Sequence, residues 1–170
     1  MGRRVSGPFD DALVARAAAL LEKARARGLK IATAESCTGG LVAALLTEIP
    51  GSSAVVERGF VVYSNEAKQD MLGVPAPTIG AHGAVSAQTA AAMAAGALAH
   101  SRADVAVAIT GVAGPGGGSP EKPVGLVMFA SARRGEDVRT QEMRYGDLGR
   151  AGIRRAAVET ALELLAQRIG

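Results

Sequence analysis

Lys30-Ile31-Ala32-Thr33-Ala34-Glu35-Ser36-Cys37-Thr38-Gly39-Gly40, running on into Leu41 to Ile49, is the stretch from which the fold is read. Lys30 to Thr33 is a short apolar run with strand character, and Gly40 to Glu48 reads as a helix. Hydroxyls, a thiol and two flexible glycines therefore fall at a strand-to-helix corner. The first backbone N–H groups of a helix have no partner inside it, so such a corner can hold a phosphate, a carboxylate or a developing oxyanion. A nucleophile and an anion hole would sit side by side here.

On the N-terminal side, Leu13, Val14, Ala17, Leu20, Leu21 and Ala24 recur at helical spacing, with Asp10 or Asp11 as cap and Gly28 as stop. Residues 1–9 read as a mobile lead-in. On the C-terminal side a turn at Pro50 to Ser53 leads to a strand, Glu57 to Tyr63, and Ser64 caps a short helix that ends at Gly73. This is a second strand-to-helix corner. Pro75 to Val85 reads as irregular, Ser86 caps an Ala-rich helix reaching His100, and Asp104 to Ile109 is a buried strand. Thr110 to Pro123, with five glycines and three prolines in fourteen residues, cannot be a regular element. Loops of that length in a compact domain tend to be functional or disordered.

Strand character resumes over Val124 to Ala132, Arg133 to Glu136 makes a hairpin turn into Val138 to Tyr145, and Asp147 caps a closing helix carrying Ile153, Ala157, Ala161, Leu164 and Leu165. Helices interleaved with strands, plus one late hairpin, predict an α/β fold. Its expected form is three layers, α/β/α, around a mixed, mainly parallel sheet of about five strands or more. Residues 1–170 read as one domain.

Composition narrows the function classes. With 48% hydrophobic and 21% charged residues in 170, the chain can bury a core unaided. The single Cys37 forms no internal disulfide and nothing at the start reads as an export signal, so a cytoplasmic location is expected. Charged and polar residues interrupt every long apolar run, so no membrane span is expected. The 19 basic against 16 acidic residues leave +3, without tryptophan and with only 3% aromatics, which offers nucleic acid no stacking platform. His82, His100 and Cys37 are too few for a four-ligand zinc site, and neither a metal nor a cofactor is expected. Ala- and Leu-rich helix faces suit a homo-oligomer and a monomer's core equally.

Three polar stretches follow apolar strands: Glu35 to Gly40, Tyr63 to Lys68 and Thr110 to Lys122. In an open α/β sheet ligands gather outside the carboxyl ends of the strands, so the three can converge on one pocket. Ser36 is a candidate nucleophile that needs a base, and Lys68 can serve if burial lowers its ordinary value of ~10.4. Tyr63 could relay a proton or fix the geometry. Cys37 competes as nucleophile, because a thiol near a helix start can ionise easily, or it is a small buried hydrophobe. No G-x-S-x-G elbow supports a role for His82 in a Ser-His pair, which leaves it at most a candidate ligand contact, and His100 reads as a helix C-terminal residue helped by the dipole. The glycine loop is neither a Walker loop nor a dinucleotide fingerprint, and Lys122 either adds charge to a phosphate site or faces water.

Thr33-Ala-Glu-Ser-Cys-Thr-Gly-Gly40, Arg58-Gly-Phe-Val-Val-Tyr-Ser-Asn-Glu-Ala-Lys68, Gly83-Ala-Val-Ser86, and Thr110-Gly-Val-Ala-Gly-Pro115 through Glu121-Lys-Pro-Val-Gly125 together closely resemble the CinA C-terminal domain family. The match runs in order from roughly Leu29 to Phe129. The resemblance implies a stand-alone form of a nicotinamide-nucleotide amidohydrolase, which converts nicotinamide mononucleotide to nicotinic acid mononucleotide and ammonia. It places the family's Ser, Tyr and Lys constellation on Ser36, Tyr63 and Lys68. On that basis the expected partner is a small nucleotide. Thr38, Gly39 and Gly40 are candidates for the oxyanion and substrate, and Asn65, Thr110, Gly111, Gly114, Gly117 and Gly118 for ribose and phosphate. The alternative is a catalytically inactive nucleotide-binding or regulatory module using the same pocket.

Overall fold

A computed structural model describes residues 6–170. The elements run α1 (Asp11–Ala26), β1 (Ile31–Glu35), α2 (Leu41–Thr47), β2 (Val56–Val61), α3 (Asn65–Leu72), α4 (Ala76–His82), α5 (Ala87–Ala99), β3 (Val105–Gly111), β4 (Leu126–Arg133), β5 (Arg139–Arg144) and α6 (Gly149–Ile169). Of the expected lead-in, residues 1–5 lie outside the described part, and Phe9 is not free chain but packs against the core.

Local chemistry sets most boundaries. Asp10 accepts from the Leu13 amide, Ser64 from Ala67 and Ser86 from Thr89, so α1, α3 and α5 each start where a short polar side chain satisfies an orphan N–H. Gly73, at φ +65°, ends α3 in the left-handed region that other residues avoid. Two expectations fail. The segment expected to be irregular contains α4, whose two prolines fall at its N-cap and second residue, where no helical N–H is lost. Asp147 does not cap α6: the N-cap is Leu148 and makes no side-chain hydrogen bond.

The five strands form one sheet in the order β2-β1-β3-β4-β5. β1 pairs in parallel with both β2 and β3, while β3–β4 and β4–β5 are antiparallel. β4 alone is reversed, so four of the five strands point the same way and the sheet is mixed and mainly parallel. α1, α2 and α6 cover one face and α3 and α5 the other, giving the three layers expected.

Alternation along β3 divides the two cores. Val105, Val107 and Ile109 face α1, α2 and α6, whereas Ala106 and Ala108 join Ala32 and Ala34 under the Ala-rich α5. Small residues on that second face let the α3–α5 layer approach closely. Gly96 of α5 shows how closely, since a Cβ there would lie 2.0 Å from the Leu72 carbonyl oxygen of α3.

From β1 the chain reaches β2 by way of α2 on one face, then returns past β1 to β3 by way of α3, α4 and α5 on the other. The gap between β1 and β3 is therefore a topological switch point, and the carboxyl ends of both strands open onto it.

Candidate active site

Ser36 follows β1 directly, and both neighbouring strands hold it. Its amide donates to Ile109 of β3 at 2.9 Å, and the preceding carbonyl, of Glu35, accepts from Val62 at 2.9 Å. A serine that merely capped the next helix would be bonded to that helix's amides. Instead the α2 N-cap is Gly40, at φ +99°, and its cap position makes no side-chain bond.

Glu35 takes the capping role from a distance. Its fully buried carboxylate accepts from the Thr38 hydroxyl at 2.7 Å and from the Val42 and Ala43 amides at 2.9 and 3.0 Å. The start of α2 thus already holds an internal anion and is closed to an external one. Gly39's amide is also engaged, by the Ser36 carbonyl at 3.0 Å. Of the expected Thr38 to Gly40 group, Thr38 is fully buried with its hydroxyl on Glu35, and none of the three lines the cleft described below. The amide that follows Ser36, Cys37 N–H, donates to no backbone acceptor among the described residues.

Lys68 reaches the same point from α3. Helical side chains lean toward their own N-terminus, so the long stem runs back along the first turn. Its Nζ lies 3.1 Å from Ser36 Oγ, 3.1 Å from the carbonyls of Val62 and Tyr63, and 3.5 Å from that of Ser64. The side chain is only 1% exposed. Burial holds the amine below its ordinary range, with smaller opposing pulls from Cys37 and Glu66. A neutral amine has two N–H bonds and one lone pair. Here the two 3.1 Å carbonyls can take both N–H bonds while the lone pair faces the serine hydroxyl. Cys37, beside it, is driven the other way: burial pushes its thiol up to about 11, with the Glu35 charge adding to the rise. A thiol so hard to ionise is a poor nucleophile.

The structure separates Tyr63's two polar ends. Its carbonyl accepts from Lys68, but its ring is 60% exposed and its hydroxyl meets Arg150 Nη2 at 3.2 Å rather than Ser36 or Lys68. These groups face a cleft of about 300 Å³ at the switch point, walled by Asn65, Ala84, Val85, the strand end Thr110-Gly111 and the loop residues Val112, Ala113, Gly114, Gly116 and Gly117. Thr110's hydroxyl is spent on the Ala84 carbonyl at 2.8 Å, which pins one wall to the other. Gly118 lies outside the cleft, where a Cβ would meet the Val124 amide at 2.9 Å. His82 and Lys122 are also outside it: Lys122 Nζ donates to the His82 carbonyl at 2.6 Å, strapping the glycine loop to α4. His100 caps α5 as expected, its Nδ1 2.9 Å from the Gly96 carbonyl oxygen. Among the described residues no three His, Cys, Asp or Glu side chains gather as a metal-binding set.

Sequence reasoning missed Glu35 as an internal cap and two arginines of α6. Arg150 donates to the Gly114 carbonyl at 2.8 Å as well as to Tyr63, and Arg154 holds the Cys37 and Thr38 carbonyls at 3.1 and 3.4 Å. A signal existed for Arg150. A cation in the first turn of a helix opposes the macrodipole, and such a residue is tolerated where another task holds it.

Residues 14–169 match the family model described as the CinA C-terminal domain. The chain belongs to the CinA C-terminal domain family. The nicotinamide-nucleotide amidohydrolase PncC of Escherichia coli K12 is 55% identical over 145 residues, which cover 85% of this chain and 87% of that one. A CinA-like protein of an Anaeromyxobacter species is 48% identical over 95% of this chain, which spans 40% of that longer relative. Among solved structures, the competence/damage inducible protein CihA of Agrobacterium tumefaciens superposes with a TM-score of 0.94 at 56% identity, covering 97% of this chain and 100% of that one. A CinA superfamily protein of Escherichia coli gives 0.87 at 33% identity over 98% and 99%. In reaction class this member of the CinA family is an amidohydrolase. Among the described residues no helix is long and apolar enough to cross a membrane.

Proposed function

We propose that the chain hydrolyses the carboxamide of nicotinamide mononucleotide, giving nicotinic acid mononucleotide and ammonia, with Ser36 as nucleophile and Lys68 as general base. The observation that carries this reading is the 3.1 Å contact between a buried lysine amine and the Ser36 hydroxyl, with the amine's other directions turned to backbone carbonyls. The E. coli relative's name supports the substrate.

Lys68 takes the hydroxyl proton as Ser36 Oγ bonds to the carboxamide carbon, whose oxygen becomes an oxyanion. The new ammonium then has the Val62, Tyr63 and Ser64 carbonyls around it, which stabilise the charge at the moment it forms. The Cys37 amide, next to the nucleophile, is the leading oxyanion donor, in place of the expected Thr38 to Gly40 set. As the C–N bond breaks, Lys68 returns its proton to the leaving nitrogen and ammonia departs, leaving an ester on Ser36. Water attacks that ester, Lys68 accepts the water's proton and passes it to Ser36 Oγ, and the enzyme is restored. Asn65 and the Gly111, Gly114 and Gly117 backbone border the space left for ribose and phosphate, and Arg150 supplies a cation to the cleft.

The test is product analysis by chromatography with nicotinamide mononucleotide, nicotinamide, NAD and simple amides. Ser36→Ala and Lys68→Ala are expected to stop ammonia release while the circular dichroism spectrum stays native. Full activity in Ser36→Ala rejects the mechanism. Tight binding of the mononucleotide without product from the wild-type protein favours a regulatory module instead.

A further inference from the structure

In the turn between β1 and α2 three consecutive carbonyls are all held. That of Ser36 accepts from the Gly39 amide at 3.0 Å, and that of Thr38 from the Leu41 amide at 3.0 Å. The Cys37 carbonyl, between them, has no backbone donor among the described residues. Arg154 of α6 serves it instead, with Nε at 3.1 Å, while Nη2 reaches on to the Thr38 carbonyl at 3.4 Å. This guanidinium is half-buried and forms no salt bridge among the described residues, whereas the next residue, Arg155, pairs with Asp10 and Glu159. A partly desolvated cation without a carboxylate is costly, which points to a task at this turn. Two N–H bonds in one rigid plane suit two successive carbonyls, as an ammonium's point charge does not.

A trans peptide sets its N–H opposite its C=O. The Ser36–Cys37 bond is trans, so the Gly39 amide on the Ser36 carbonyl aims the Cys37 N–H the other way, where it has no backbone acceptor. That aim lasts only while the turn keeps its shape. Without Arg154 the Cys37–Thr38 peptide can rotate, the Gly39 bond to Ser36 opens, and the Cys37 N–H loses its direction. We propose that Arg154 is a positioning residue for the reaction: its guanidinium locks the turn after Ser36 and so holds the Cys37 N–H where the carboxamide oxygen becomes an oxyanion. The inference rests on the Ser36–Lys68 reaction proposed above. Arg154 does not line the cleft, and the groups that act on the Lys68 amine are Cys37 and Glu66. Its effect therefore falls on the oxyanion and not on the base.

The experiment compares wild type, Arg154→Ala and Arg154→Lys by steady-state ammonia release from nicotinamide mononucleotide. In Arg154→Ala kcat is expected to fall roughly a hundredfold, the scale of one lost oxyanion donor, with KM little changed. The acid limb of the pH profile is expected to stay where the wild type has it, and Arg154→Lys to fall between the two. A cavity of about 190 Å³ beside Arg154, walled in part by Phe9, Leu13 and Leu41, admits a free guanidinium ion to the vacated place. Guanidinium chloride at non-denaturing concentration is therefore expected to restore part of the Arg154→Ala kcat, a gain that a merely weakened fold would not draw from a denaturant. An unchanged kcat, a loss confined to KM, a displaced acid limb or no restoration overturns the proposal. A second readout does not depend on the substrate. With an alkyl fluorophosphonate, Ser36 Oγ bonds to phosphorus, fluoride departs with its electron pair and Lys68 takes the hydroxyl proton, while the phosphoryl oxygen occupies the oxyanion's place. Mass spectrometry is expected to show Ser36 labelled roughly a hundredfold more slowly in Arg154→Ala, and equal rates overturn the proposal. A wild type that takes the label but releases no ammonia from the mononucleotide defeats the substrate reading alone, and the labelling rates still decide the role of Arg154. A wild type that does neither overturns both.

Discussion

Replacing Glu35 by alanine removes the acceptor of three hydrogen bonds at once, two of them buried and one half-buried. The Val42 amide and the Thr38 hydroxyl would be left without partners away from water, and the half-buried Ala43 amide would lose its partner as well. Each orphaned group costs about 1–3 kcal/mol, and the helix start loses a favourable charge worth up to ~2 kcal/mol in partly buried geometry. Set against this, the variant no longer has to desolvate a carboxylate, a relief of several kcal/mol. The balance resembles other broken buried networks, a loss of about 3–5 kcal/mol. In a protein of this size each kcal/mol moves the midpoint by ~2–4 °C, so Tm should fall by roughly 6–20 °C. Glu35→Gln keeps one acceptor but turns an NH₂ group toward a donor, so about half that loss is expected. The assay is thermal unfolding followed by circular dichroism, paired with urea melts to check that m is unchanged. Because Ser36 is the next residue, kcat should also drop at temperatures where Glu35→Ala is still folded. A Tm within ~3 °C of wild type would refute the reasoning, because a surface substituent contributes that little.

Lys68→Met should lower turnover at least about 10³-fold in the ammonia assay, since among the described residues no other side-chain base bonds Ser36. The base must be neutral to act, so kcat/KM should fall as pH drops through the lowered Lys68 value, and the acid limb should vanish if a different residue supplies the base. The same burial makes stability rise with pH, because over the window below the ordinary value of ~10.4 the unfolded chain holds a proton that the native lysine has shed. Lys68→Met should therefore gain stability relative to wild type as pH is lowered from about 10, read as a Tm difference that widens toward neutrality. Cys37→Ala should retain activity within a few-fold, and iodoacetamide should inactivate the wild type slowly at neutral pH, as its thiol at about 11 requires. Gly96→Ala should cost about 1–3 kcal/mol by driving α3 from α5, with a matching fall in kcat as Lys68 moves off Ser36; an unchanged urea midpoint would contradict the packing.

The parts of this fold that were legible in the sequence are those governed by nearest neighbours. Ser64 and Ser86 announce helix starts because their hydroxyls act three residues away, and Gly73 announces a stop because only glycine tolerates its φ readily. Misreadings came where a residue's partner is distant or its own position decides its meaning. Pro75 and Pro77 argue against a helix everywhere except its first turn, which is where they lie. Asp147 has the chemistry of a cap, but the chain enters α6 through Leu148 and the carboxylate turns elsewhere. The Ser36 and Lys68 pair was readable as a candidate because each lies in a polar stretch that begins where an apolar strand ends. The loop glycines divided on packing, with Gly118 excluded from the cleft by the Val124 backbone. Arg150 joins the cleft from 87 residues beyond Tyr63, a relation no local pattern encodes.

The same sheet that hides Lys68 also makes it useful. A lysine in water remains protonated near neutral pH and cannot take a proton, and one buried without partners would leave its N–H bonds unsatisfied. Here the strand end at Val62 and Tyr63 turns into α3 through Ser64, so three carbonyls that have left the β ladder point toward one amine. They satisfy the neutral form's two donors and await the third proton that the reaction delivers. Burial lowers the affinity for that proton, and Cys37 and Glu66 limit how far it falls. A base poised between those opposing forces can accept from a serine and give to a departing nitrogen, which is the exchange that amide hydrolysis needs twice in each turnover.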